Sequence, residues 1–219
     1  MIIITGLGRC GTSVLTKYLG EIGFGLGKNV SWNKNVRAGM ELSTAYTINH
    51  DFYHRFLKEG KEIDLDVEAW GDYWKGFTYR DVINAVDKDE RQGHVDVIKD
   101  PRITWHPDII KAWYEVRQDI KLIICHRNIS DIMKSRQSLP EAFNDPKPRK
   151  KIEDYQIDFA EFYTRVLELG IVHKILFFPN FLREFGVVWN TLQSMFNNPL
   201  LDKFEKGKDV WNELIDYGS

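Results

Sequence analysis

The strongest constraint on this chain is a glycine-rich junction close to its N-terminus. Ile2-Ile3-Ile4 is a β-branched run bounded by glycine, and it reads as a buried strand. Gly6 to Gly11 forms a turn, and Thr12 then opens a helix. Val14, Leu15, Tyr18, Leu19 and Ile22 give that helix one apolar face. Gly20 and Gly23 fall near its end, where left-handed caps favour glycine. A strand, a glycine turn and a helix in this order bring unpaired backbone amides and the positive end of a helix dipole to one point. An anion is the natural occupant of that point.

The spacing from Gly6 to Gly11 matches a Walker A loop, yet Thr12 stands where that motif has its lysine. The lysine reaches the outer phosphates of a nucleoside triphosphate, so its absence argues against an ordinary NTPase or kinase. Here the cation is Arg9, inside the loop. Turns of this kind also occur as bare structural junctions. Arg9 and the Thr12-Ser13 pair weigh against that reading, because a structural turn needs no convergent polar groups. Gly8, Arg9, Cys10, Gly11, Thr12 and Ser13 are therefore the candidate anion-binding residues.

The rest of the chain alternates. Ser43 and Thr44 offer caps to a helix bearing Ile48, Phe52 and Phe56. A charged, aromatic excursion from about 58 to 94 follows, with Trp70, Tyr73, Trp74, Phe77 and Tyr79. Those aromatics read as core under a loop, with sugar stacking as the alternative. Val95 to Lys99 is a strand candidate, and Pro107 starts a helix. Lys121 to Cys125 is a further strand, followed by a helix with Ile129, Ile132 and Met133. Lys147 to Lys151 is a basic loop read as solvated, followed by a long amphipathic helix from Ile152 to Val166. A strand at Ile175 to Phe178 and a helix with Val188, Leu192, Met195 and Phe196 close the pattern.

This order predicts an α/β fold: a mainly parallel central sheet flanked by helices on both faces, in one domain over 1–219. In such sheets ligands bind beyond the carboxyl ends of the strands. Lys99 and Arg127 each stand just after a strand candidate. Ser135 lies eight residues beyond Arg127, two helical turns into the next helix, with Asn128 as the cap. Arg127 and Ser135 form a second anion-site candidate. Taken alone, Arg127 reads better as the partner of a surface carboxylate.

Together, Gly6-Leu7-Gly8-Arg9-Cys10-Gly11-Thr12-Ser13 and the Arg127 to Ser135 spacing resemble the sulfotransferases. The first is similar to that family's 5′-phosphosulfate loop, the second to its 3′-phosphate motif. Ile98-Lys99-Asp100-Pro101-Arg102 is similar to an element of many bacterial members, and Leu176 to Leu182 to the stretch that closes their sheet. The resemblance implies the P-loop NTPase-like sulfotransferase fold. It also implies sulfuryl transfer from 3′-phosphoadenosine 5′-phosphosulfate (PAPS), leaving 3′-phosphoadenosine 5′-phosphate (PAP), without a metal. Arg9, the loop amides and Thr12 would hold the 5′ end, Arg127 and Ser135 the 3′-phosphate, and Lys99 would stabilise transition-state charge. The histidine base of the cytosolic enzymes is absent. Glu41, in Gly39-Met40-Glu41, resembles the glutamate that replaces it in bacterial relatives, with Asp100 and His106 as alternatives. Lys203, Lys206 and Lys208 near Gly207 are only faintly similar to a C-terminal basic element of the family.

Thirty basic against 32 acidic residues give a net charge of −2, which does not fit a general nucleic-acid binder. Only two cysteines are present, which excludes a disulfide scaffold and points to a reducing, cytoplasmic setting. No apolar run is long enough to span a bilayer. His50 and His54, four apart, lack a third metal ligand and read as surface or packing residues. The acceptor stays open among small molecules, carbohydrates and lipids. A P-loop kinase and a non-catalytic nucleotide-binding module are the competing functions.

Overall fold

The computed structural model describes residues 1–28, 32–33, 38–70, 74–88, 93–137, 151–196 and 204–216. The chain runs β1 (Ile2–Thr5), α1 (Thr12–Glu21), β2 (Trp32–Asn33), β3 (Ala38–Gly39) and α2 (Ser43–Arg55). A 3-10 turn (Leu57–Glu59), α3 (Tyr79–Ala85), β4 (Val97–Lys99), α4 (Arg102–Trp105) and α5 (Pro107–Val116) follow. Then come β5 (Lys121–His126), α6 (Ile129–Gln137), α7 (Ile152–Glu168), β6 (His173–Phe177), α8 (Asn180–Arg183), α9 (Phe185–Met195) and α10 (Phe204–Asp216).

Among the described residues, β4, β1, β5 and β6 pair side by side in that order, all parallel. Ile3 stands opposite Ile98 on one side and Leu122 on the other. All four residues of β1 are buried, because both faces of the sheet are covered. On one face Ile2, Ile4, Val97, Ile123 and Cys125 pack with Leu15 and Tyr18 of α1, Leu192 of α9 and Trp211 of α10. On the other, Ile3, Ile98, Leu122 and Ile124 pack with Phe52 of α2, Ile83 of α3, Trp113 of α5 and Phe162 of α7. The α/β architecture expected from the alternation is present. The chain leaves β1 to one side for β4 and returns past it to β5. The carboxyl end of β1 is therefore the switch point where such sheets open a crevice.

Local chemistry sets the helix ends. Gly23, at φ 98°, follows α1. Its N–H donates to Gly20 and that of Phe24 donates to Leu19, the paired bonds of a Schellman cap. Gly20 itself lies inside α1 against Leu26 and has no capping conformation of its own. Thr78 and Asp81 form a capping box on α3. Leu42, not Ser43 or Thr44, stands at the N-cap of α2, without a side-chain cap.

Several boundaries differ from the sequence expectation. Strand β4 begins at Val97, since Val95 makes only an isolated bridge to Leu26. Strand β6 spans His173–Phe177 rather than 175 to 178. In the excursion, Leu65, Ala69, Trp74 and Tyr79 join the larger core, while Trp70 and Phe77 are exposed. Tyr73 and residues 147–150 of the basic loop lie outside the described residues. The sequence pattern predicts no helix beyond Phe196, yet α10 is present and carries Lys206, Gly207 and Lys208. A Cβ on Gly207 would lie 2.7 Å from the Tyr18 hydroxyl and 3.0 Å from the Trp189 ring, so this glycine is where α10 approaches α1 and α9.

Candidate functional site

Three strand ends build the candidate site. The loop after β1 puts Gly8 (φ 80°), Arg9 (φ 56°) and Gly11 (φ 87°) in left-handed backbone. Arg9 is not glycine, and left-handed backbone at such a residue concentrates at functional sites. The loop runs straight into the N-terminus of α1, whose positive dipole end suits an anion. Gly11 has no room for a side chain, because a Cβ would lie 2.7 Å from the rings of Phe178 and Phe181. Trp105 Nε1 donates to the Leu7 carbonyl at 3.3 Å and steadies the loop's first turn.

Arg127 follows β5. Its guanidinium donates to the Arg9 carbonyl at 3.0 Å and lies 4.7 Å from the centre of the Phe178 ring. Its Nε is buried and has no hydrogen-bond partner among the described residues, a donor held ready for an acceptor. Ser135, two turns into α6, accepts from Arg9 Nε at 3.1 Å. The two anion-site candidates thus touch through Arg9. Asn128 caps α6, accepting from the Ser130 N–H at 2.9 Å.

Lys99 ends β4 with a side chain only 4% exposed, and its ammonium pairs with Oε1 of Glu41, which is 25% exposed. A buried ammonium needs such a partner. Met40, in left-handed backbone at φ 71°, turns the chain between β3 and α2 and leaves Glu41 facing Lys99.

Asp100 is fully buried. It accepts from the N–H and Nε of Arg102 at 2.9 and 2.8 Å, from Arg102 NH2 at 2.6 Å and from Asn49 Nδ2 at 2.8 Å. Asn49 in turn accepts from Trp113 Nε1 at 2.7 Å, and the Thr5 hydroxyl donates to the Asp100 carbonyl at 2.8 Å. These bonds tie β1, α2, α4 and α5 together at the point where Lys99 emerges. His106 lies at the start of α5, 4.6 Å from the Tyr53 ring.

The Cys10 thiol is fully buried, and burial pushes it up to about 11. It packs into the core beside Gly6, with backbone N–H groups of Gly8, Cys10 and Thr12 turned towards its sulfur. The Thr12 and Ser13 side chains are also buried at the start of α1, and the Thr12 carbonyl accepts from Thr16. Burial also lowers the ionisation of His126, which meets Phe159 and Phe177 edge-on.

Residue-by-residue reading missed Phe178 and the Asp100 brace. The run Phe177-Phe178-Pro179 at a strand end was the available signal for Phe178. The brace joins residues far apart in the chain and left none. Among the described residues no group of three or more histidine, cysteine or carboxylate side chains is arranged to hold a metal ion. No described helix is long and apolar enough to cross a membrane.

No protein-family model matches the chain, and no curated protein matches it by sequence. Solved structures do. The sulfotransferase domain from the curacin biosynthetic pathway superposes with a TM-score of 0.58 at 12% identity, over 91% of this chain and 74% of that one. The sulfotransferase STF9 from Mycobacterium avium matches at TM-score 0.47 and 15% identity, over 100% of this chain and 68% of that one. STF1 from Mycobacterium tuberculosis H37Rv matches at 0.45 and 12%, over 99% and 75%. The first of these likenesses, with the parallel β4-β1-β5-β6 sheet, gives the chain the sulfotransferase fold.

Proposed function

We propose that this chain is a sulfotransferase that takes its sulfuryl group from PAPS. One observation carries the reading. Arg9 joins a left-handed glycine loop to the Arg127–Ser135 element, so two cationic cradles lie side by side at the switch point of the sheet. PAPS carries two separate anionic ends and no γ-phosphate, which fits two cradles and a loop without the Walker lysine. The buried, unpartnered Arg127 Nε and the tightly walled Gly11 are features such a ligand would use.

In this reading the loop from Gly8 to Ser13 and the start of α1, with Arg9, hold the 5′ end, and Arg127 with Ser135 holds the 3′-phosphate. When bound, PAPS supplies the sulfuryl group and a phosphate leaving group. Lys99 donates to the oxygen on which charge develops, and does so from a water-poor position where that interaction is strong. Glu41 accepts the proton of the attacking hydroxyl or amine. The Glu41–Lys99 pair supports these roles, since it places an acceptor of protons beside a stabiliser of negative charge. The geometry favours Glu41 over Asp100, whose carboxylate is occupied by Arg102 and Asn49. Two buried free thiols accord with work in a reducing compartment such as the cytoplasm.

A thermal-shift titration tests the reading: PAP in EDTA should raise the melting temperature, and ATP with Mg²⁺ should raise it less. Glu41→Gln should cut turnover at least 100-fold while keeping the PAP-induced shift. Stabilisation by ATP–Mg²⁺ alone would support a kinase instead, and near-normal turnover in Glu41→Gln would remove that residue as the base.

A further inference from the structure

Asn49 is fully buried in the middle of α2, on the side that also buries Ala45, Ile48 and Phe52. Asparagine is a poor residue for a helix interior, and a buried amide costs free energy unless both its ends are bonded. Here both are bonded. Its Nδ2 donates to Asp100 Oδ2 at 2.8 Å, and its Oδ1 accepts from Trp113 Nε1 at 2.7 Å. An indole N–H only donates and a carboxylate only accepts, so the two partners fix which way the amide points. Leucine, the apolar choice of similar size for such a place, offers neither group.

The bond to Asp100 closes a circuit through the Glu41–Lys99 pair. Asp100 directly follows Lys99, and its N–H donates to the Ile4 carbonyl at 3.1 Å, which holds it to β1. Its carboxylate grips α2 at two points. One is Asn49. The other is Arg102, whose guanidinium lies 3.7 Å from the centre of the Tyr46 ring. Tyr46 and Asn49 are three apart and share one side of α2. Glu41 lies two residues before α2, at the end of the helix that Asn49 anchors. The circuit therefore runs from Lys99 to Asp100 by a covalent bond, to Asn49 by a hydrogen bond, along α2 to Glu41, and back to Lys99 by the ion pair.

Apolar packing alone leaves this geometry loose. Burial of Ile48 and Phe52 is non-directional, so it tolerates a small slide or rotation of α2. A hydrogen bond is directional and weakens steeply when bent. The Asn49 amide thus sets where along β4, and at what rotation, α2 comes to rest, and hence where the chain delivers Glu41. A proton acceptor needs that precision, because a misplacement of about 1 Å costs about 100-fold in rate.

We infer that Asn49 is a positioning residue: it registers α2 against the end of β4 and so holds Glu41 on Lys99. It acts through α2 and Asp100 rather than on the substrate. The chemistry it serves rests on the sulfotransferase reading, whereas the positioning is measurable without donor or acceptor.

Nitrogen NMR of lysine side chains, detected through the non-exchanging Cε protons, tests this. The Lys99 Nζ resonance is identified by its loss in Lys99→Met, and Glu41→Gln gives its position without the ion pair. Asn49→Leu should move the resonance towards the Glu41→Gln position. Asn49→Ser, whose hydroxyl is too short to span both partners, should do the same and carries the test if the leucine variant does not fold. Phe52→Leu, buried on the same helix, should lower the urea midpoint and leave the resonance in place. PAP affinity should stay within about threefold of wild type in all three. With an acceptor found by screening, kcat in Asn49→Leu should fall at least about tenfold at unchanged KM. An unmoved resonance in both Asn49 variants overturns the positioning role, and so does an equal move in Phe52→Leu. A resonance moved by the Asn49 variants of a protein that binds no PAP would keep the positioning and remove the PAPS reading.

Discussion

Arg127 carries the largest share of the recognition proposed for the 3′ end. It is braced by the Arg9 carbonyl and the Phe178 face, so its fork is held in place before a ligand arrives. Lysine could not reproduce both contacts, because only a planar guanidinium stacks and donates at once. Arg127 itself was legible as a charge after a strand. Its link to Ser135 through Arg9 was not, because Arg9 and Ser135 are 126 residues apart and nothing local encodes their contact. Cys10 differs. Its place in the loop motif marked it as a binding residue, yet its side chain serves the core.

That burial has a pH consequence. The fold keeps the Cys10 thiol neutral up to about pH 11, whereas the unfolded thiol ionises near its ordinary value of 9.0. The folded value is raised, so the stabilisation is complete below pH 9 and is lost as pH rises towards 11. A shift of this size corresponds to about 2–3 kcal/mol. Urea midpoints measured from pH 8 to 10.5 should fall more steeply for the wild type than for Cys10→Ala. Iodoacetamide at pH 8 should label neither cysteine in the folded protein and both in urea. Rapid labelling of the native protein would contradict the buried placement.

Among the elements, the β-α alternation was legible because strand and helix periods differ and glycine or proline punctuates them. Helix α10 was not. Gly207 breaks its pattern on paper, and the lysines around it read only as a faint likeness to the family's C-terminal basic element. In the structure Trp211 docks between α1 and α8, its Nε1 donating to the Leu182 carbonyl at 3.2 Å, and Gly207 lets the helix approach Tyr18. Two effects oppose each other in Gly207→Ala. Helix propensity favours alanine by about 1 kcal/mol. Overpacking against the buried Tyr18 and Trp189 costs about 1–3 kcal/mol. A net loss of about 1 kcal/mol is expected in urea denaturation, and a gain would mean that α10 does not seat closely on α1.

At the scale of the whole molecule, a net charge of −2 hides how unevenly the cations are placed. Arg9, Lys99 and Arg127 come from three separate strand ends, and the parallel order β4-β1-β5 brings those ends together. Apolar patterning made the sheet and its two covering layers readable. The brace at Asp100 and the Arg9–Ser135 contact depend on side chains meeting only after the sheet has formed.

A two-cradle site for PAPS has a measurable signature in isothermal calorimetry with PAP in EDTA. Wild type should bind one PAP per chain without a metal. Losing a charged hydrogen-bonding group costs about 1.5–3 kcal/mol, so Arg127→Ala should weaken binding roughly 10- to 150-fold. No binding of PAP at millimolar concentration, or equal affinity in Arg127→Ala, would contradict it.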